Sequence, residues 1–240
     1  MIFRFTGRTD PGVVRSTNQD DFYIDPEGRF FIVADGMGGH AGGQEASRIA
    51  TTTIYQFLDK YWDSAEESPK LLHQAFLDAN QAILQDQYDH PERSEMGTTA
   101  VMVMFRHDQP WYAHVGDSRL YRLRDSNLEQ VTEDHTWVAR AIKAGELTKE
   151  QSRVHPWRHV LSQCLGRKDI YQIDVQSIDL TVGDRILLCS DGLTEELTDS
   201  AISSYLESNS DCEQAAVALI NGAKQNGGRD NITVVIVAIE

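Results

Sequence analysis

Five aspartates, Asp20, Asp35, Asp117, Asp191 and Asp230, stand where turn-forming residues meet apolar runs, several of them beside glycine. Carboxylates gathered at such junctions repel one another and lose hydration, so they stay charged only where counter-charge is supplied. Divalent cations supply it. Ligation by carboxylate, backbone carbonyl and water favours hard ions, Mg²⁺ or Mn²⁺, over zinc, which prefers His or Cys. Two such ions sharing a bridging aspartate can hold a water, acidify it towards hydroxide and neutralise the oxygens of a phosphate for in-line attack.

The stretch from residue 30 to 43 carries the clearest signal. Phe30 to Ala34 is an unbroken apolar run that predicts a buried strand, and it delivers Asp35 into a segment with five glycines among residues 36–43. Glycines there permit positive backbone angles and let main-chain carbonyls approach whatever the carboxylate holds. Gly36, Gly38 and Ala41 also satisfy a G-x-G-x-x-A dinucleotide pattern. Asp35 would set a bare charge beside a pyrophosphate, however, and a second helical pattern follows where a parallel strand is required. No Lys-Ser or Lys-Thr completes a P-loop. A purely structural Gly-rich turn is the bland alternative to a metal site.

The same design recurs downstream. Arg185 to Ser190 is a second apolar run ending in Asp191-Gly192, and Asp230-Asn231 opens a final buried strand over 232–239. Gly116-Asp117-Ser118 separates strand signals at 110–115 and 120–123, where a hairpin turn is an equal reading. His114 is read as a packed or exposed histidine and not a ligand. Arg15 lies near the acidic Asp20-Asp21 pair, where an ordinary ion pair competes with a second role, gripping phosphate oxygens with its fork of donors.

The elements that must position these groups follow from periodicity. Residues 2–6 suggest a short edge strand, and strands are expected over 98–105 and 173–178. Ala46, Ile49, Ala50, Thr53, Phe57 and Tyr61 mark one amphipathic helix; Leu72, Ala75, Phe76, Ala79 and Ile83 mark a second. The segment 64–69 joins them, so the two should lie antiparallel over one sheet face. Two more helices are expected over 199–206 and 213–225. Residues 133–168 are polar and mixed and read as an inserted flap. There Trp157, Arg158 and the histidines could bind a partner, or Trp137 and Trp157 could form a small satellite core.

Composition narrows the function classes. The chain of 240 residues, 40% hydrophobic, suits one large domain over 1–240 with the flap at 133–168 inserted. A net charge of −15 argues against nucleic acid or an anionic membrane as partner. There is no spanning apolar stretch or signal-peptide core, and the three cysteines lack C-x-x-C spacing, so a cytoplasmic protein with reduced thiols is expected. Neither Cys164 nor Cys189 opens a C-x₅-R loop, and no G-x-S-x-G elbow occurs, which disfavours cysteine-dependent phosphatase and serine hydrolase chemistry.

Taken in order, Arg15 with Asn18-Gln19-Asp20, Val33-Ala34-Asp35-Gly36-Met37-Gly38-Gly39, Gly97-Thr98-Thr99, Val115 to Arg119, Ser190 to Leu193 and Gly228 to Asn231 closely resemble the metal-dependent protein phosphatases of type 2C in their compact bacterial form. The general look is similar to cyanobacterial members that act on the nitrogen-signalling protein PII. The resemblance covers essentially the whole chain. It implies an α+β fold, a four-layer α-β-β-α sandwich with two antiparallel-rich sheets flanked by antiparallel helix pairs.

It also implies hydrolysis of phosphoserine and phosphothreonine in proteins by a hydroxide bridging two Mg²⁺ or Mn²⁺ ions. Asp35 would bridge the metals, the Gly36 carbonyl would bind one, and Asp191 and Asp230 would complete the other. Asp20 would act through a water, Asp117 with Asp191 would hold a weaker third ion, and Arg15 would grip the substrate phosphate. Many relatives carry a histidine two residues after the bridging aspartate as the acid for the leaving alkoxide; here it is Met37, which has no proton to give. A water on the Asp117 ion, or His40, is then the expected acid. A monomer is expected, and a catalytically weak pseudophosphatase that binds signalling partners is the second class considered.

Overall fold

The computed structural model describes residues 2–39, 42–107, 109–170 and 173–240. Two antiparallel sheets form its centre. One is five-stranded: β1 (Phe3–Asp10), β11 (Ile232–Ile239), β10 (Arg185–Cys189), β7 (Arg119–Arg124) and β8 (Asn127–Gln130), in that spatial order. The other is six-stranded and runs β2 (Asp20–Ile24), β3 (Phe30–Met37), β5 (Ala100–Arg106), β6 (Gln109–Val115), β9 (Asp174–Ser177), with β4 (Gly97–Thr98) beside the end of β3.

The apolar runs are continuous because both faces of each central strand are covered. Successive side chains on a strand point to opposite faces. Along β3, Phe31 and Val33 face the second sheet, meeting Leu188, Val235 and Val237, while Phe30 and Ile32 face α1 (Gly42–Tyr61) and α2 (Ser68–Asp89). Along β11 the same division sends Val235, Val237 and Ile239 between the sheets. Ile232, Val234 and Ile236 go towards the helices α6 (Asp199–Ser208) and α7 (Cys212–Gln225). Three apolar layers thus separate four layers of secondary structure, the sandwich that the resemblance implies.

Between β8 and β9 the chain carries α3 (Trp137–Lys143) and α4 (Lys149–Arg153), each opened by a threonine side-chain cap, at Thr136 and Thr148. A bridge between Thr136 and Leu161 closes this excursion at its root. Trp137 meets Trp157 edge-on at 4.9 Å with His155 stacked beside it, a small aromatic cluster, yet Trp157 keeps 53% of its surface exposed. β1 extends to Asp10, beyond the short strand expected, because every residue from Phe3 to Asp10 finds a partner on β11. Among the described residues no helix is long and apolar enough to cross a membrane.

Candidate metal centre

The acidic residues meet at one end of the sandwich, where the two sheets come together. Asp20 opens β2 directly opposite Asp35 on β3. Its carboxylate also reaches the other sheet: Ser190 Oγ and Thr233 Oγ1 donate to Asp20 Oδ2 at 2.8 and 2.6 Å. Asp191 follows β10 after Ser190 alone, as the first residue of the short helix α5 (Asp191–Thr194), and Asp230 precedes β11 by two residues. The charges of Asp20, Asp191 and Asp117 all bear on the Asp35 carboxyl, and that of Asp191 bears on Asp117.

The main chain around these groups is tightly built. Thr99 Oγ1 accepts from the Asp35 amide at 3.0 Å, the Thr99 amide donates to the Asp35 carbonyl at 2.9 Å, and Thr98 Oγ1 donates to the same oxygen at 2.8 Å. A Cβ on Gly36 would sit 2.0 Å from the Gly43 carbonyl, and one on Gly43 would sit 2.7 Å from the Gly36 oxygen. Glycine at both positions is therefore a packing requirement of the loop over the Gly36 carbonyl.

Asn231, buried, ties the N-terminal loop to β11: its Oδ1 accepts from Gln19 N at 2.8 Å and its Nδ2 donates to the carbonyls of Pro11 and Thr17 at 3.1 and 2.9 Å. That tether holds Arg15 over the site, where Nη2 donates to Asp230 Oδ2 at 2.7 Å.

Electrostatics shows what this crowding does. Burial, opposed by hydrogen bonds from Thr233 and Ser190, pushes the Asp20 carboxyl up to about 7. Burial and then the charges of Asp20, Asp191 and Asp117 push Asp35 well above the carboxylate range. Asp117 rises through burial and Asp191, and Asp191 through burial and Asp230. Asp20 Oδ1 is buried without any partner among the described residues. A set of oxygen donors that cannot all ionise together, one of them orphaned, fits hard divalent cations.

All five aspartates, Gly36 and Arg15 come together at this end of the fold. Gly116-Asp117-Ser118 is not a hairpin turn, because β6 and β7 belong to different sheets and the tripeptide crosses between them. Met37 lies opposite Gly97 at the end of β3. His40 lies outside the described residues. Sequence reasoning gave no role to the supporting set, Ser190, Thr233, Thr99 and Asn231. For Ser190, Asn231 and Thr233 the signal is adjacency, since each stands within three residues of a site aspartate, whereas Thr99 belongs to the Gly97-Thr98-Thr99 motif and has no aspartate near it in sequence. His114 is buried, with its ring stacked on His135 at 4.5 Å. In the excursion between β8 and β9, His159 Nδ1 lies 2.5 Å from Glu195 Oε1, one helical turn beyond Asp191.

Comparison with known proteins agrees with this geometry. The family model described as protein phosphatase 2C matches residues 13–223. Protein phosphatase PhpP of Streptococcus pneumoniae is 37% identical over 235 residues, covering 96% of this chain and 95% of PhpP. Serine/threonine protein phosphatase PstP of Mycobacterium tuberculosis is 35% identical over 241 residues, 98% of this chain but 45% of PstP. A crystal structure of the PstP phosphatase superposes with a TM-score of 0.89 at 34% identity, covering 100% of each chain. The catalytic domain of PstP in complex with two manganese ions gives 0.88 at 32%, covering 99% of each. With fold, motif order and relatives in agreement, the chain belongs to the protein phosphatase 2C family and is a metal-dependent serine/threonine protein phosphatase.

Proposed function

We propose that Asp35, Asp191 and Asp230, with the Gly36 carbonyl and with Asp20 in support, hold two Mg²⁺ or Mn²⁺ ions, and that Asp117 with Asp191 holds a weaker third. The observation that carries this reading is the meeting of Asp20 and Asp35 across β2 and β3, with Asp20 Oδ2 bonded by Ser190 and Thr233 and its Oδ1 buried without a partner among the described residues. When bound, such cations lower the pKa of water and neutralise charge developing on phosphoryl oxygens. The chain's part is to fix the donors: Ser190 and Thr233 orient Asp20, Thr98 and Thr99 hold the Asp35 main chain, and Asn231 fastens the loop bearing Arg15.

Arg15 presents a guanidinium suited to two phosphate oxygens at once. In the protein alone that group is held by Asp230, which a bound cation would release it from. Residues 133–168 act as the flap that selects among phosphoprotein substrates. Within the flap a cavity of about 550 Å³, bordered by Trp137, Arg140, Glu146, Val160 and Arg167, offers apolar and charged contacts for the polypeptide around a phosphoserine or phosphothreonine. The sequence resemblance makes phosphorylated PII a candidate substrate, and we place the protein in the cytoplasm as a monomer.

The test is hydrolysis of a phosphothreonine peptide and of p-nitrophenyl phosphate with Mn²⁺, with Mg²⁺ and with chelator. Activity that follows the cation and is lost in both Asp35→Asn and Asp191→Asn is expected. Full turnover in chelator, or in either variant, would sink the assignment.

A further inference from the structure

The turn that carries Asp117 has no ladder of its own. Gly116 bridges two sheets in a left-handed conformation, φ +107°, and an added Cβ would meet the Thr99 side chain at 2.5 Å. Both backbone groups of Gly116 are instead taken by one residue. The Gly116 amide donates to His135 Nδ1 at 3.1 Å, and the His135 amide donates to the Gly116 carbonyl at 2.9 Å. The His135 carbonyl accepts from Ser162 N at 2.8 Å, on the returning limb of the flap. Arg119, beyond Asp117, donates Nε and Nη2 to the two oxygens of Asp134 at 2.9 and 2.7 Å. Both sides of the Asp117 turn are therefore anchored on the dipeptide Asp134-His135.

The imidazole is held in one tautomer. Since Nδ1 accepts from an amide, the ring proton sits on Nε2, which lies 3.2 Å from Asp174 Oδ2 on β9 and donates to it. His114 stacks on the ring with its plane inclined by only 20°, and its Nε2 donates to the Glu133 carbonyl at 2.9 Å. His114, His135 and Asp174 do offer three donor atoms within 4.8 Å of one another. A cation among them is disfavoured, however: nearly parallel rings aim their lone pairs along parallel planes, and His135 would have to surrender its Nε2 proton while Nδ1 stays engaged.

We propose that His135, oriented by Asp174, is a positioning residue that sets the Gly116-Asp117 turn and thereby holds the Asp117 carboxylate towards Asp35 and Asp191. This rests on the reading of Asp117 as a cation ligand. It also makes His135 the joint between that ligand and the flap, because its own main chain is bonded to Gly116 on one side and Ser162 on the other.

The test counts bound Mn²⁺ from the electron paramagnetic resonance of the free ion, with the melting temperature recorded alongside. It uses the full chain and its Asp117→Ala, His135→Gln, His135→Asn and Asp174→Leu variants. Asp117→Ala should lose the weakest class of bound Mn²⁺. His135→Gln, which leaves Gly116 N without an acceptor, should weaken that class about 10-fold or more while the tighter pair keeps its affinity, the size expected for an outer-shell partner. His135→Asn, whose amide oxygen takes the place of Nδ1, should restore most of the loss; a variant that merely loosened packing would not be rescued this way.

Asp174→Leu frees the ring and should weaken the same class, which keeps the test decisive should His135→Gln fail to fold. Wild-type Mn²⁺ binding by His135→Gln or by Asp174→Leu, against a loss in Asp117→Ala, would overturn the positioning role and leave the ligand reading standing. Unchanged binding in Asp117→Ala would overturn the ligand reading itself.

Discussion

Arg15 Nη2 and Asp230 Oδ2 are 2.7 Å apart, so the group proposed to bind phosphate and a carboxylate proposed to bind a cation are each other's partner. The hydrogen bond and charge of Asp230 raise the Arg15 guanidinium above its ordinary value, with Asp191 and Asp35 adding to the effect. The arginine is thus a provisional counter-ion for the carboxylate cluster. Removing it should act in opposite directions on the two ligands. In Arg15→Ala the Mn²⁺ affinity should rise, because Asp230 is freed. The kcat/KM for a phosphopeptide should fall about 10- to 100-fold, the worth of one charge-assisted contact to phosphate. Calorimetric Mn²⁺ titration beside steady-state kinetics checks both, and weaker Mn²⁺ binding in the variant would contradict the counter-ion role.

Crowded carboxylates cost stability when no cation is bound. Asp35→Asn should therefore melt higher than the parent protein in chelator, by about 2–4 °C if relief of repulsion and desolvation is on the order of 1 kcal/mol. Saturating Mn²⁺ should reverse the order. A ligand at 100 times its Kd adds about 2.7 kcal/mol to the parent protein, and the variant forgoes much of that. Melting curves in chelator and in Mn²⁺ decide the matter, and a variant less stable than the parent under both conditions would mean that Asp35 is structural.

Thr233 Oγ1 and Ser190 Oγ converge on one oxygen of Asp20 and leave the other orphaned. Thr233→Val keeps the shape of the side chain and deletes one donor. It should weaken Mn²⁺ binding about 10-fold, as loss of an outer-shell hydrogen bond does, while the fold survives because the valine suits a strand facing an apolar layer. Isothermal titration of the variant with Mn²⁺ is the check; unchanged affinity would show that Asp20 needs no orientation from β11.

Much of this architecture was legible in the sequence because its strands are buried on both faces. Phe30 to Ala34, Ile186 to Cys189 and, apart from Thr233, Ile232 to Ile239 read as apolar runs, and the four-layer sandwich requires that of them. The site aspartates were legible for a related reason: a charge that ends such a run must lie where the sheet meets solvent or a ligand. Three things were hidden. β8 has an alternating, half-exposed pattern with too few apolar residues to register, and it exists by pairing with β7.

Crossing from one sheet to the other at Gly116-Asp117 looks locally the same as a hairpin, because the backbone needs a positive φ at glycine either way, and only the long-range pairing distinguishes them. The role of His135 was invisible for the same reason. Its partners, Gly116 and Asp174, lie 19 and 39 residues away.

Far from the centre, Asp184 sits buried at the start of β10, where Arg124 donates to both of its oxygens at 2.7 Å and Thr181 N donates at 2.8 Å. Burial alone would raise this carboxyl, but the bonds from Arg124 and Thr181 outweigh it and hold the group below its ordinary value. The sign follows from linkage. The unfolded chain takes up the proton more readily than the folded one, so the contribution is complete above the ordinary carboxylate range. It drains away as pH falls through the lowered folded value. At pH 7 Asp184→Asn should cost about 2 kcal/mol, as expected for hydrogen bonds to a charged group. Below about pH 4 the gap from the parent should narrow, since the parent then loses the same ionised contact. Urea denaturation of both proteins from pH 7 down to about pH 3, in chelator so that cation binding does not intervene, measures this difference directly. A gap that stays constant across that range would mean that Asp184 works through packing or neutral hydrogen bonding, and that its ionisation adds nothing to the join between β7 and β10.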